Sequence, residues 1–197
     1  FQGDISVAAM QQSFQAMIDR HQVLRTVYEE VDGEVVQRVQ QGVPFPLEVV
    51  DLSADADPYE QVKVAIQTRV EQTFELHRDL ALRASLFTLA TDSAANSTAN
   101  STGSETVLLI NLHHIACDGW SIELIQQAFA QYYRHFSAGE PLVQAELPIQ
   151  YADYAAWLHA SLDSEHRQVQ IEYWQAQLEG VAPVHQLPLD FSRPAEK

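Results

Sequence analysis

Two adjacent histidines, His113 and His114, stand at the end of an apolar segment and are followed by an Asp-Gly pair, Asp118 and Gly119. An imidazole titrates near neutral pH, so it can exchange a proton or hold an attacking nucleophile by a hydrogen bond. An aspartate at the start of a helix caps its N-terminus or fixes the turn before it. The pattern His-His-x-x-x-Asp-Gly is far more specific than a single histidine, and it makes this segment the candidate site.

The two imidazoles are expected to have different surroundings. Side chains alternate along a strand, so His114 should share a face of the sheet with Leu112 while His113 faces the other way. Adjacent histidines on opposite faces cannot easily share one metal ion, and Asp118 is the nearest further ligand, so no metal is expected. Cys117 is the single cysteine, which allows neither a disulfide within the chain nor a cysteine metal cluster.

A strand and a helix must position this pair. The segment Val107–His114 is apolar on both faces and is predicted to be the most buried strand of a sheet. A helix is predicted from Asp118 to about Phe136, and Trp120 and Trp157 are interpreted as core aromatics. Apolar residues at three- and four-residue steps define the inner face of this helix: Ile122, Ile125, Phe129, Tyr132 and Phe136.

The rest of the chain predicts a mixed α and β fold. A helix begins at Val7, and the β-prone runs Thr26–Glu30 and Glu34–Gln40 flank Asp32 and Gly33, a pair that favours a tight hairpin turn. The further predicted elements are, in order, the strand Leu47–Asp51, the helix Pro58–Phe74, the strand Leu82–Ala90, a polar insertion over Thr91–Thr106, and the helices Tyr151–Leu162 and Arg167–Leu178.

Composition narrows the class of protein. The chain has 197 residues, 46% of them hydrophobic, which is enough for one sizeable core or two small lobes. Its net charge of −16 repels phosphate backbones and anionic lipid, so neither nucleic acid nor a membrane is expected as a partner. The apolar runs are short, no secretory signal is visible and cysteine is scarce, so a cytoplasmic location fits best.

Three ordered segments resemble one family. His113–Ser121 is similar to the core motif of the condensation domains of nonribosomal peptide synthetases, which belong to the chloramphenicol-acetyltransferase-like superfamily. Arg20–Tyr28 resembles the family's Arg-His-Glu-x-Leu-Arg-Thr-x-Phe segment, with Gln22 and Tyr28 as departures, and Tyr151–Trp157 resembles its Tyr-x-Asp-Phe-Ala-x-Trp segment. The resemblance implies an α/β fold, an α+β sandwich in which a mixed β-sheet packs with helices.

The resemblance also implies a division of the chain. In this family two similar lobes face each other across the active-site tunnel. Residues 1–180 match the N-terminal lobe without its first strand and motif, and residues 181–197 match the start of the connector to the C-terminal lobe. We expect the chain alone to be inactive, because half of the tunnel would be lacking.

The resemblance places His114 in the tunnel where two carrier-bound 4′-phosphopantetheine arms meet. The amine of the downstream aminoacyl thioester attacks the upstream acyl or peptidyl thioester, and a peptide bond forms. His114 would act as a general base or position the amine, whose pKa of about 8 makes full proton abstraction unnecessary. The implied partners are the upstream and downstream carrier domains, the adenylation domain and the C-terminal lobe. The arms are substrates, and no bound cofactor is expected.

Supporting roles follow from the same resemblance. His113 corresponds to the family's first histidine, for which a structural role is expected. Asp118 corresponds to an aspartate that forms a structural ion pair, and Arg20 and Arg25 are candidate buried partners for it or for Asp153. Gly119 would allow close approach of a substrate, and its backbone N–H could help to bind an oxyanion.

Two alternatives stay open. The first is an acyltransferase of the same superfamily that uses a free acyl-CoA. The second is a non-catalytic, condensation-like module that recruits carrier-bound partners. The intact residues His113, His114 and Asp118 favour catalysis, since a docking module has no need of them, and they argue against heterocyclising relatives, which carry aspartates instead of the histidine pair.

Overall fold

The structure is a computed structural model that describes residues 5–89, 105–162, 164–182, 188 and 190–191. Most of the predicted insertion and of the predicted connector lies outside the described residues. The chain divides into two compact units, Phe1–Asp153 and Tyr154–Lys197. The elements in chain order are α1 (Val7–Arg20), the 3₁₀ turn Gln22–Arg25, β1 (Thr26–Val31), β2 (Glu34–Val39), β3 (Glu48–Asp51), α2 (Pro58–Glu71), β4 (Leu82–Leu89), β5 (Glu105–Leu112), α3 (Gly119–Ser137), α4 (Tyr151–Ser161) and α5 (Ser164–Gln177).

The hairpin of β1 and β2 and the start of α2 form where short sequence patterns predict them. Strands β1 and β2 pair as an antiparallel hairpin, with Val31 opposite Glu34. Asp32 and Gly33 between them have φ angles of 54° and 83°, the left-handed pair that a two-residue hairpin turn requires. Pro58 occupies the first turn of α2, where its lack of an N–H costs no hydrogen bond. The predicted hairpin and the start of the predicted helix are therefore confirmed, whereas the helix ends at Glu71 and not at Phe74.

The main sheet has three strands in the order β3-β4-β5, with β3 parallel and β5 antiparallel to β4. The central strand β4 is the buried one, whereas β5 is only partly buried. The prediction that Val107–His114 is the most buried strand was wrong. Apolar composition on both faces does not reveal which strand is central, and among the described strands β5 pairs only with β4.

Helices cover both faces of this sheet. On one face, α1 and α3 pack against Leu82, Ala84 and Leu86 of β4. On the other face, Val62 of α2 packs against Phe87 and Leu89 of the same strand. The alternation of β4 residues between the two clusters is the period of a strand buried on both sides. The predicted α/β sandwich of a mixed sheet and helices is confirmed.

An aromatic cluster fixes α3 to α1. Phe14 of α1 is fully buried, and its ring centroid lies 4.9 Å from that of Phe45 and 4.7 Å from that of Phe129 in α3. Aromatic pairs at such distances add attraction beyond the burial of their area. This cluster holds α3 against the sheet, and α3 carries the candidate site at its N-terminus.

The prediction that Trp120 and Trp157 lie in the core was wrong. Trp120 is 86% exposed and Trp157 is 62% exposed. The interval from Trp120 to Phe129 is about 2.5 helical turns, so the two side chains project from opposite sides of α3. Since Phe129 is buried, Trp120 faces outward.

None of the helices in the described part of the chain combines the length and apolar character needed to cross a bilayer.

Truncation of the central ring tests this packing. Phe14→Ala should lower the free energy of unfolding by about 3–5 kcal/mol, because it leaves a cavity between α1, α3 and Phe45. Urea denaturation followed by circular dichroism measures the change. Val64→Ala, at a position 60% exposed on α2, is the control and should change stability by less than about 0.5 kcal/mol. Equal effects of the two substitutions would contradict the proposed packing.

Candidate active site

The turn between β5 and α3 is organised around His113. Strand β5 ends at Leu112, one residue earlier than His113. The His113 N–H donates to the carbonyl of Ala81 at 2.9 Å, and the His113 carbonyl accepts the N–H of Ala116 at 3.0 Å. The N–H of Ile115 donates to Nδ1 of the His113 ring at 3.0 Å. Backbone and side chain of one residue thus close the turn.

The hydrogen bond to the ring defines the tautomer of His113. Because Nδ1 accepts from a backbone N–H, the proton of the neutral imidazole must lie on Nε2. The ring is half-buried and meets the Phe74 ring edge-on, with centroids 5.5 Å apart and planes at 76°. These contacts suit the structural role that the resemblance implied for this residue.

His114 lies in the turn, not on the strand where it was predicted. The strand ends before the histidine pair, because backbone pairing with β4 stops at Leu112, which faces Leu82. His114 is exposed. Within the described part of the chain no hydrogen bond holds its ring, so the imidazole is available to a group that approaches from outside.

Asp118 is the N-cap of α3. Its Oδ1 accepts the Ser121 N–H at 2.9 Å and the Ser121 hydroxyl at 2.7 Å, and the Asp118 N–H donates to Ser121 Oγ at 3.2 Å. This reciprocal pair satisfies backbone donors that a helix start leaves unpaired. The hydrogen bonds from Ser121 hold the pKa of Asp118 below its usual value. The residue is therefore a fixed carboxylate with a structural task.

Gly119 occupies the first position of α3. The N–H groups of the first helical turn have no intrahelical acceptor and lie at the positive end of the helix dipole. A Cβ added to Gly119 would meet no atom within 4 Å, so no neighbour in the described part of the chain requires a glycine here. The open space leaves room for a substrate group beside this N–H.

Arg25 is buried as predicted, but its partners are carbonyl groups. Only 8% of the residue is exposed, and its Nε donates to the carbonyl of Ile18 at 2.9 Å while Nη1 donates to that of Gln40. Among the ion pairs of the described residues, neither Arg25 nor Arg20 is paired with Asp118. The guanidinium instead satisfies a carbonyl in the last turn of α1, where a positive charge is favourable.

Arg20 and Asp153 also have partners other than each other. Nη1 of Arg20 donates to the carbonyl of Ala145 at 2.7 Å. The carboxylate of Asp153 accepts the backbone N–H of Gln150 at 2.9 Å, and the Asp153 N–H donates back to the Gln150 carbonyl at 3.1 Å. Asp153 thus fixes the start of α4. The ion pairs predicted for these residues are replaced by backbone hydrogen bonds.

Gln150 connects two of the three motifs, and sequence reasoning missed it. Its Oε1 accepts the N–H of Gln22 at 3.1 Å, and its Nε2 donates to the carbonyl of Arg20 at 3.0 Å. One amide side chain thereby bridges the backbone on both sides of His21. Its position directly before Tyr151 was the only available signal, since a glutamine has no distinctive chemistry.

A cavity of about 180 Å³ lies beside the turn. Its polar wall is formed by His21 and Ser121, and burial together with the charge of Arg20 lowers the pKa of His21. The rest of the wall is apolar and comes from α1, the 3₁₀ turn, the site turn and α3: Met17, Val23, Leu24, Ala116, Leu124, Ile125 and Ala128. The cavity thus joins the Arg-His segment to the site turn.

The surroundings of Cys117 disfavour nucleophilic chemistry at its thiol. Burial, with the nearby charge of Asp118, raises the pKa of the Cys117 thiol, which disfavours the nucleophilic thiolate. Among the described residues, no group of three or more histidine, cysteine, aspartate or glutamate side chains is arranged to hold a metal ion.

A mixed sheet covered by helices on both faces, with a histidine pair at the turn into a capped helix, defines a lobe of the chloramphenicol-acetyltransferase type. The X-domain from teicoplanin biosynthesis superposes with a TM-score of 0.79 at 30% identity, over 98% of this chain and 40% of that chain. An epimerization domain of tyrocidine synthetase B has the same fold, with a TM-score of 0.74 at 23% identity, and 40% of it is covered.

Sequence comparisons define the family. The family model described as Condensation domain matches residues 1–197. A linear gramicidin synthase component of Brevibacillus parabrevis is 38% identical over 196 residues, which are 98% of this chain and 2% of that protein. Malpinin synthetase of Mortierella alpina is 32% identical over 100% of this chain and 2% of that protein. The chain belongs to the condensation-domain family, as its motifs predicted.

The N-cap of α3 can be tested by substitution. Asp118→Ala removes the acceptor of the Ser121 N–H and hydroxyl, so hydrogen exchange at Trp120, Ser121 and Ile122 should become roughly fivefold faster. Asp118→Asn keeps an acceptor oxygen and should restore most of the protection. Mass-resolved hydrogen exchange measures both. Unchanged exchange in Asp118→Ala would show that the cap does not stabilise this turn.

His21 predicts a pH dependence of stability. Its pKa in the folded chain lies below the unfolded value of about 6.5, so the unfolded chain binds more protons between these two values. The stability that neutral His21 gives the folded chain is fully present above about pH 6.5, and it is lost as pH falls through the lowered pKa. His21→Gln should flatten this part of the profile.

Urea denaturation at several pH values measures how the free energy of unfolding depends on pH. The range from about pH 5 to pH 8 includes the pKa of an unfolded histidine. The matched control is His159→Gln, because His159 is an exposed histidine of α4. The control should keep the wild-type slope. A wild-type slope in His21→Gln would contradict the role given to burial of this ring.

Proposed function

We propose that this chain is the N-terminal lobe of a condensation domain that forms peptide bonds between carrier-bound substrates in nonribosomal peptide synthesis. The observation that carries the proposal is the exposed imidazole of His114, placed on a turn whose two ends are fixed by β5 and α3. The relatives named as peptide synthetases support it, and residues 1–180 would form the lobe while residues 181–197 begin the connector.

In the proposed reaction, the amine of the downstream aminoacyl thioester attacks the carbonyl carbon of the upstream thioester. A C–N bond forms, the C–S bond breaks, and the upstream arm leaves as a thiol that takes the proton lost by the amine. His114 positions the amine and transfers this proton between nitrogen and sulfur. Since an α-amine has a pKa of about 8, a useful fraction is already neutral near pH 7.

The N-terminus of α3 would stabilise the oxyanion that develops during the reaction. The tetrahedral intermediate carries negative charge on the former carbonyl oxygen, and a backbone N–H at a helix N-terminus stabilises such charge. Gly119 offers this N–H with open space beside it. Asp118, whose carboxylate already accepts two hydrogen bonds from Ser121, would maintain the turn and take no part in proton transfer.

The proposal includes partners that this chain does not contain. The upstream and downstream carrier domains would present their 4′-phosphopantetheine arms as substrates, and an adenylation domain of the same cytoplasmic synthetase would load them. The chain covers 40% of the teicoplanin X-domain chain with which it superposes. A C-terminal lobe would supply the second wall of the tunnel, and the 197 residues alone would be inactive.

A second candidate function is a docking module without catalysis. One structural neighbour was solved as a complex of the X-domain and OxyB from teicoplanin biosynthesis, with a TM-score of 0.80 at 30% identity. A domain related to this chain is therefore known in complex with a protein partner. The exposed His114 and the organised turn around His113 favour catalysis, because docking alone does not call for an imidazole in this position.

Substitution of the exposed histidine separates these two functions. His114→Ala, in the full-length protein that carries this chain, should slow dipeptide formation between loaded carrier domains by about 10²–10⁴-fold. His159→Ala, an exposed histidine outside the site, is the matched control and should leave the rate unchanged. Mass spectrometry of the carrier-bound products measures the rate. An unchanged rate in His114→Ala, with the fold retained, would favour the docking function.

A further inference from the structure

Three side chains lie in a row that ends at the candidate site: the guanidinium of Arg83, the phenyl ring of Phe74 and the imidazole of His113. The Cζ atom of Arg83 lies 3.9 Å from the centroid of the Phe74 ring, a close cation–π contact. The same ring meets His113 edge-on at 5.5 Å. Arg83 belongs to β4, and Phe74 lies in the segment that follows α2, so elements outside the site turn reach His113 through this row.

Arg83 is itself fixed on several sides. Its Nη2 donates to Oδ2 of Asp79 at 2.7 Å and to the carbonyl of Thr73 at 3.0 Å, and its Nη1 donates to the carbonyl of Gln72 at 3.0 Å. The planar guanidinium suits several acceptors at once while its face remains available to a ring. The two carbonyl contacts fix the backbone directly before Phe74, so Arg83 determines where that ring lies.

We propose that Phe74 and Arg83 are positioning residues for His114. They hold the ring of His113, whose Nδ1 and backbone close the turn that carries His114. Because the His114 ring has no hydrogen bond of its own in the described part of the chain, the backbone of this turn alone sets where its side chain begins and which rotamers can reach a substrate. The inference rests on the proposed role of His114, and neither Phe74 nor Arg83 contacts the reacting groups.

The chain contains a matched pair that lacks this connection. The Cζ atom of Arg69 lies 5.0 Å from the centroid of the Phe87 ring, and Arg69 also binds the carboxylate of Glu48 and the carbonyl of Ala65. Like Arg83, it combines a phenylalanine ring, a carboxylate and a backbone carbonyl. Its ring partner packs on the face of the sheet that α2 covers and, among the described residues, makes no aromatic contact with the site turn.

The experiment compares Arg83→Gln with Arg69→Gln in the full-length protein that carries this chain. Arg83→Gln should lower kcat for dipeptide formation by roughly ten- to hundredfold with little change in KM, because a displaced catalytic group slows the chemical step. Arg69→Gln should leave kcat unchanged. Phe74→Leu should behave like Arg83→Gln, and Phe74→Tyr, which keeps the ring, should restore most of the rate.

A spectroscopic measurement detects the positioning directly. Nitrogen-15 NMR of the 197-residue chain should show His113 with its proton on Nε2 in the wild type and in Arg69→Gln, and a mixture of tautomers in Arg83→Gln. If Phe74→Leu fails to fold, Arg83→Gln and this NMR signal still decide the matter.

The possible failures are distinguishable. If His114→Ala leaves the rate unchanged, the proposed function fails. If His114→Ala abolishes turnover but Arg83→Gln matches Arg69→Gln in rate and in the His113 spectrum, the positioning role alone is overturned.

Discussion

The candidate site depends on the hydrogen bonds that His113 makes at the end of β5. Its N–H continues the pairing of the strand to the carbonyl of Ala81, and its ring accepts the N–H of Ile115. Together these bonds turn the chain away from the sheet and toward α3. His114 follows directly in this backbone, so the point from which its exposed side chain projects is set by the residue before it.

The two elements that flank this turn are anchored by different forces. Strand β5 is held by backbone hydrogen bonds to β4, while α3 is held by burial of Phe129 against Phe14 and by the Asp118 cap. Within the turn, Ala116 packs against the core and His113 meets the Phe74 ring, whereas His114 stays exposed.

The sequence predicted the features that depend on near neighbours and failed on those that depend on distant ones. The turn at Asp32 and Gly33 follows from two adjacent residues, and its strands were located within one residue of the observed ends. By contrast, the partners of Arg25 are carbonyl groups of Ile18 and Gln40, which no pattern of residue types distinguishes from a carboxylate. The order of strands, and hence the partial burial of β5, also depends on pairing across the chain.

The outward face of α3 brings the fold and the proposed reaction together. Trp120 is 86% exposed and Leu124 is 66% exposed, and both lie within two turns of Gly119. A contiguous exposed apolar patch marks a surface that packs against another body, and these two side chains are one helical turn apart. In the proposed function, a second lobe would cover this face and exclude water from His114. Desolvation would then strengthen the hydrogen bonds that the helix N-terminus gives to a developing oxyanion, which an open turn in water cannot achieve.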